Sequence, residues 1–113
     1  MNGESMIFLL IMIFTAGFMI GIGVYQLKSK KPVGFYSGEK PLKESELTSV
    51  RDWNLRHALM WIFYGVIIIV TSVIAAIMFN SVWSVIPAIG GVIFPLPMMI
   101  FYHHYLIRKY KIK

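Results

Sequence analysis

Long stretches without a charged residue alternate with short basic segments along this chain. Residues 6–26, 58–79 and 86–107 contain no Asp, Glu, Lys or Arg. An α-helix rises about 1.5 Å per residue, so a stretch of about 20 apolar residues matches the roughly 30 Å hydrocarbon core of a bilayer. The pattern predicts an all-α membrane protein, a single domain with three transmembrane helices.

The positions of the basic residues predict how these helices are oriented. Residues 27–57 carry seven Lys or Arg residues and residues 108–113 carry four, whereas the segments at the other ends of the spans carry none. Two spans separate the basic segments, so both segments lie on one side, which the positive-inside rule places in the cytoplasm. We expect a multi-pass protein of the cell membrane, with its N-terminus outside and its C-terminus in the cytoplasm.

Composition excludes several classes of function. Hydrophobic residues make up 58% of the 113 residues, more than a small soluble domain can bury, and the net charge is +6. Because the basic residues adjoin the spans, we expect them to contact anionic lipid headgroups, and we expect no nucleic-acid partner. The chain has no Cys, which excludes thiolate metal sites and cysteine nucleophiles. No nucleophile, base and orienting acid fall together, so we predict neither an enzyme nor a cofactor.

The three histidines lie at the predicted cytoplasmic boundary of the second and third spans. His103 and His104 are adjacent, so on a helix they point about 100° apart and cannot share one metal ion at ordinary geometry. We therefore predict no metal site. An alternative is that one of the two approaches His57 and forms a pH-sensitive pair.

Residues from about 44 to 57 predict a short amphipathic cytoplasmic helix that leads into the second span. Ser49 and Asp52 have the spacing of a capping box, where a helix begins. Spacings of three and four place one set of residues on a single face of this helix: Val50, Trp53, His57, Trp61 and Tyr64. Two interpretations are open, because this face either anchors the helix in the headgroup layer or docks a protein partner.

A motif in the cytoplasmic segment resembles a known family. Gly-Phe-Tyr-Ser at residues 34–37 is followed by a charged stretch and then by Trp53, with His57 four positions later. This order resembles the membrane domain of the SdpI family of bacterial toxin-immunity proteins, and small three-helix membrane proteins of Gram-positive bacteria. Tyr36 stands where the SdpI pattern has Arg, and His57 where it has Asn. The resemblance implies protection from a membrane-active toxin peptide.

Polar and helix-breaking residues lie at similar depths near the middle of the predicted spans, namely Thr15, Thr71, Ser72, Pro95 and Pro97. Proline has no backbone N–H, so carbonyls four residues earlier, including that of Gly91, lose their helical partners. Either the hydroxyls bond to their own or the broken helix and tie the bundle together, or the break builds an ion or small-solute site. No acid or base lies in the middle of any span, which disfavours drug–proton antiport.

Small residues predict close packing between helices. Gly17 and Gly21 form a G-x-x-x-G motif on the first span, and Ser72 and Ala76 form a similar pair on the second. These faces pack either within the chain or between copies, so a homo-oligomer is an open alternative.

These patterns together predict a small bacterial inner-membrane accessory or immunity-like protein. We expect it to act by binding a peptide or protein partner through Phe35, Tyr36, Trp53 and His57. One alternative is an oligomeric transport component that uses the proline-broken third helix. Another is a structural subunit of a larger membrane complex.

Overall fold

Four α-helices and two 3₁₀ turns make up the computed structural model, which describes residues 2–34 and 42–112. The helices are α1 (Gly3–Lys28), α2 (Val50–Ile77), α3 (Val85–Ile93) and α4 (Pro95–Tyr110), and the 3₁₀ turns are Glu44–Glu46 and Val82–Ser84. Three helical stretches, Gly3–Lys28, Val50–Ile77 and Val82–Tyr110, are each long and apolar enough to cross a membrane. The predicted all-α fold with three such stretches is confirmed.

Helix α2 begins well before the predicted second span. The Ser49 hydroxyl accepts a hydrogen bond from the Asp52 backbone N–H at 3.1 Å, which confirms the helix start predicted from their spacing. The helix then runs without interruption from Val50 to Ile77. Of the residues predicted to form an amphipathic helix, Glu44–Glu46 form a 3₁₀ turn, and those from Val50 to His57 form the first turns of α2.

Helices α1 and α2 pack antiparallel through two glycines that the sequence pattern did not single out. A Cβ atom at Gly23 would lie 2.6 Å from Ile62 Cγ1 and 2.7 Å from the Ala58 carbonyl oxygen. A Cβ atom at Gly65 would lie 2.8 Å from the Ala16 carbonyl oxygen. Only a residue without a Cβ permits the two backbones to approach this closely.

The G-x-x-x-G motif of α1 does not take part in this packing. Cβ atoms at Gly17 and Gly21 would meet nothing within 4 Å among the described residues, and both glycines are exposed. Ala76, in the matching motif of α2, is buried. Packing within the chain therefore uses the predicted small residue of α2 but not the predicted glycines of α1.

The third span is broken at the position that its prolines predict. Pro95 occupies the first position of α4, directly after the residue that separates it from α3. The Tyr64 hydroxyl of α2 donates a hydrogen bond of 2.6 Å to the Val92 carbonyl oxygen, next to the break. Gly91 lies directly against the Thr71 side chain, so α3 approaches α2 closely. Helix α4 contacts α2 more sparsely.

All described Lys and Arg residues lie at one end of the bundle, which we call the basic end. Here the chain after α4 pairs with the segment before α2. The Thr48 N–H donates to the Tyr110 carbonyl oxygen at 2.8 Å, and the Ile112 N–H donates to the Glu46 carbonyl oxygen at 2.7 Å. The residues predicted as a basic tail therefore begin as the last turn of α4 and continue as one side of a short antiparallel bridge.

Candidate functional site

Trp53 and Asn54, in the first turns of α2, hold the backbone of the residues that follow α1. The Trp53 indole N–H donates to the Val33 carbonyl oxygen at 2.9 Å. The Asn54 side chain accepts from the Val33 N–H at 3.1 Å and donates to the carbonyl oxygens of Ser29 and Lys31 at 3.1 Å and 2.9 Å. One turn of α2 thus contributes four hydrogen bonds to this stretch of backbone.

These bonds are made in the interior of the protein. Trp53 and Asn54 are 1% and 3% exposed. A buried polar group without a partner costs about 1–3 kcal/mol, so the two side chains can be interior only because the backbone of residues 29–34 pairs with them. We call these residues the held segment. At its end the Gln26 side-chain amide donates to the Gly34 carbonyl oxygen at 3.5 Å.

His57 and His103 form a buried hydrogen-bonded pair beneath the held segment. His57 Nε2 lies 2.8 Å from His103 Nδ1, and His57 Nδ1 lies 2.8 Å from the Trp53 carbonyl oxygen. A carbonyl only accepts, so in the neutral pair His57 Nδ1 carries its proton and His57 Nε2 accepts from His103 Nδ1–H. The alternative in which His57 meets one of the adjacent histidines is confirmed as a contact, and its pH sensitivity stays a prediction.

The chemistry open to this pair is hydrogen bonding and the holding of a proton. Two N–H groups cannot point at each other across the 2.8 Å between His57 Nε2 and His103 Nδ1, so only one of these two nitrogens carries a proton. Among residues 2–34 and 42–112, no three His, Cys, Asp or Glu side chains are grouped closely enough to hold a metal ion. His57 also lies against Trp53, with 4.2 Å between the two ring centroids.

An apolar cluster surrounds this network and joins four parts of the chain. Its buried members come from the held segment, the segment before α2, α2 itself and α4: Val33, Leu47, Trp53, Leu106 and Tyr110. Leu42, which follows residues 35–41 in the chain, also packs against the cluster. The described chain is thus attached to one cluster immediately before and immediately after that stretch.

The four residues predicted to bind a partner fall into two groups. Phe35 and Tyr36 lie outside the described residues, and they follow Gly34 directly in the chain. Trp53 and His57 share a helical face, as their spacing predicts, but they are 1% and 0% exposed. In this arrangement they support the held segment rather than present a surface, and partner binding through them stays a prediction.

The intramembrane hydroxyls bond to their own helices. Thr15 donates to the Ile11 carbonyl oxygen at 3.0 Å, and Thr71 donates to the Ile67 carbonyl oxygen at 2.8 Å. Both bonds run to the carbonyl oxygen four residues earlier, as one interpretation of these hydroxyls allows, and whether they tie the bundle together stays a prediction. Ser72 is buried.

A tyrosine hydroxyl donates to the backbone beside the helix break. Tyr64, which belongs to the face predicted to anchor in the headgroup layer or to dock a partner, is 3% exposed and donates to the Val92 carbonyl oxygen. Pro95 is buried beside the break and Pro97 is exposed. The structure thus brings Thr71 and Gly91 together, whereas an ion or small-solute site at the break stays a prediction.

Sequence reasoning missed Asn54, whose side chain makes three hydrogen bonds to backbone groups at the basic end. One signal could have identified it. Asn54 is an uncharged amide residue next to Trp53, whereas the neighbouring polar residues in the first turns of α2 are charged. A buried amide needs hydrogen-bond partners, which the backbone can supply.

Comparison with known proteins finds no matching family, no similar curated protein and no similar solved structure. Function is therefore inferred from the geometry of the basic end and from the sequence motif that it contains.

Proposed function

We propose that this chain is a small accessory protein of the bacterial cell membrane that binds a peptide or protein partner at its basic end. In this proposal the basic end faces the cytoplasm and the N-terminus lies outside, in accordance with the distribution of Lys and Arg. Residues 29–36, which comprise the held segment, Phe35 and Tyr36, form the binding region. Trp53, Asn54 and His57 position its described part, residues 29–34.

The observation that carries the proposal is the set of four hydrogen bonds from Trp53 and Asn54 to the held segment. A connection between two membrane helices runs at the surface, where water satisfies its backbone. Fixing each residue of such a connection costs about 1–2 kcal/mol of conformational entropy. Ordering the backbone up to Gly34 therefore costs conformational entropy in the free protein. Partner binding explains this cost, because a segment that is already ordered loses less entropy when it binds.

Charge around the held segment indicates the chemistry of the partner. Lys28, Lys30 and Lys31 are all exposed at the end of α1 and in the held segment. Complementary charges steer association and favour correct partners. We expect the partner to carry acidic residues next to the aromatic or apolar side chains that meet Phe35 and Tyr36.

The SdpI-like motif gives this proposal its most specific form. If the motif at residues 34–37 serves here as in that family, the partner is a membrane-active toxin peptide and the chain protects the membrane that contains it. The transport alternative has less support, because the hydroxyls of Thr15 and Thr71 donate to carbonyl oxygens of their own helices. A structural subunit would bind a partner through its outward helix faces instead of the basic end.

Site-specific photo-crosslinking in living cells tests the proposal. We would place p-benzoylphenylalanine at Phe35 or Tyr36, irradiate cells of the source organism and resolve the products by mass. We expect one discrete product, of the mass of the chain plus one peptide or protein. A partner with acidic residues should be identified in it by mass spectrometry.

Matched controls come from aromatic residues that are exposed elsewhere. Phe14 on α1 is 80% exposed, and Trp83, at the end opposite the basic end, is 64% exposed. The same photoreactive residue at these positions should give no product of that mass. Absence of the product at both Phe35 and Tyr36, or equal yields at all four positions, would contradict the proposal.

A further inference from the structure

A groove between α2 and α4 has a volume of about 640 Å³. Its floor includes Met60 and Met99, both buried, and its lining is apolar except for Arg56 and the hydroxyls of Tyr64 and Tyr102. A volume of this size is typical of a site for one small molecule, since such sites measure about 300–1,000 Å³. The groove lies outside the held segment and plays no part in the proposed partner binding.

The length of the groove matches half of a bilayer. Its lining residues on α2 run from Arg56 to Ile67, a rise of about 16 Å along a helix. The hydrocarbon core is about 30 Å thick, so one leaflet contributes about 15 Å. A groove that begins at the basic end and stops near the middle of the membrane fits an occupant that belongs to one leaflet.

Among the described residues, the only cation in the groove lining is Arg56, at the end nearest the basic end. Arg56 is exposed, and Tyr102 of α4 lines the same groove. A guanidinium group binds phosphate through two parallel hydrogen bonds, and tyrosine hydroxyls can donate a third.

From these observations we propose that the groove binds one acyl chain of an anionic phospholipid of the leaflet at the basic end, with the lipid phosphate at Arg56. The apolar lining takes the chain and the cationic mouth takes the headgroup. A transmembrane peptide fits less well, because it would span both leaflets. A helix about 10 Å across fills about 120 Å³ per residue, so the groove would enclose only about five residues of it.

Native mass spectrometry of the full-length protein tests the proposal. The protein would be purified in detergent, mixed with equal amounts of phosphatidylglycerol and phosphatidylcholine of identical acyl chains, and transferred to the gas phase. We expect one phosphatidylglycerol to remain bound, about tenfold in excess of phosphatidylcholine, because only the anionic headgroup pairs with the groove mouth.

Two pairs of variants separate this site from general attraction between lipids and basic residues. Arg56→Gln removes the cation of the groove, and Arg51→Gln removes an exposed arginine of the same helix that does not line it. Met98→Trp adds bulk to the groove wall, and Phe101→Trp makes a similar change on α4 away from the groove. Met98 and Phe101 are both exposed, so none of the four changes alters the buried core.

The proposal requires Arg56→Gln and Met98→Trp each to reduce retention of phosphatidylglycerol by about fivefold or more, a loss of about 1 kcal/mol in binding free energy. Arg51→Gln and Phe101→Trp should leave it within about twofold. Equal loss in both arginine variants would show non-specific attraction and overturn the proposal. Loss in Arg56→Gln without loss in Met98→Trp would overturn the placement of the acyl chain. A wild-type dimer that Met98→Trp dissociates would show that a second copy fills the groove instead.

Discussion

Asn54 links α2 to three backbone groups of the held segment with a single side chain. Its oxygen accepts from Val33 and its nitrogen donates to two carbonyl oxygens, so no smaller or apolar residue can replace it. Trp53 adds the bond to the Val33 carbonyl oxygen. The order of the held segment therefore depends on two adjacent residues of one helical turn.

Replacing Asn54 with Ala should release the held segment while α2 stays folded. The Val33 N–H loses its acceptor, so its hydrogen exchange should accelerate by about tenfold or more, the effect of about 1.4 kcal/mol. The Thr48 N–H, bonded to the Tyr110 carbonyl oxygen in the same cluster, serves as the control and should keep its rate. Equal acceleration at both amides would mean that the whole basic end unfolds and that Asn54 has no specific role.

The buried histidine pair should show energetic coupling. Removing either imidazole breaks the bond between His57 and His103, so a double-mutant cycle with leucine substitutions should give a coupling of about 1 kcal/mol in the free energy of unfolding. His104 is exposed and adjacent to His103, and its cycle with His57 should give less than about 0.3 kcal/mol. Reversible unfolding in mixed detergent micelles measures both, and equal couplings would refute the pairing.

Single residues were predicted by type and position better than by role. The spacing of Trp53 and His57 placed them correctly on one face, but it assigned that face to lipid or to a partner. Periodicity identifies the residues that share a face, whereas their partners depend on how a distant segment folds back. The backbone of residues 29–34 is that partner here, and backbone groups have no sequence signature.

At the scale of helices, the glycines of α1 and α2 differ in what they contact. Gly23 and Gly65 lie against backbone carbonyl oxygens of the facing helix, and a backbone atom cannot move aside as a flexible side chain can. Gly17 and Gly21 face outward. The same chemical change therefore has opposite expected effects at the two pairs of positions.

Gly23→Ala and Gly65→Ala should each destabilise the fold by about 1–3 kcal/mol, because the added methyl group forces α1 and α2 apart. Gly17→Ala and Gly21→Ala should be neutral or stabilising by up to about 1 kcal/mol, since alanine has the higher helix propensity. Unfolding in mixed micelles gives the four values. If Gly17→Ala and Gly21→Ala destabilised the fold as much as Gly23→Ala and Gly65→Ala, the described packing of α1 would be contradicted.

The helix ends followed from the sequence where local chemistry determines them. Ser49 and Asp52 marked the start of α2, and Pro95 marked the break before α4. Helix α2 begins at Val50, eight residues before the predicted second span at residue 58, because its first turns contain charged residues that a helix accepts and a span excludes. The G-x-x-x-G pattern predicted close packing of helices, but it could not show which face of α1 packs against α2.

At the scale of the whole molecule, the segregation of Lys and Arg to one end is the property from which the orientation is proposed. The chain contains no Cys, so single cysteines introduced at exposed positions report their own accessibility. Asn80 lies between α2 and α3 at the end opposite the basic end, and Ser45 lies at the basic end, and both are exposed. They are suited to a direct test of sidedness.

In intact cells, a membrane-impermeant maleimide should label the Asn80→Cys variant and not the Ser45→Cys variant, since the positive-inside rule places the basic end in the cytoplasm. Permeabilised cells should allow labelling of both. Labelling of Ser45→Cys alone in intact cells would reverse the proposed orientation.

The central claim is that α2 orders the held segment so that Phe35 and Tyr36 can bind a partner. The most direct measurement compares the yield of the photo-crosslinked product from Tyr36 in the wild-type background and in Asn54→Ala, at equal protein levels. We predict that Asn54→Ala lowers the yield by about fivefold or more. The partner must then order the segment on binding, and a cost of about 1 kcal/mol weakens the affinity by that factor. An unchanged yield, together with accelerated exchange of the Val33 amide, would contradict the claim.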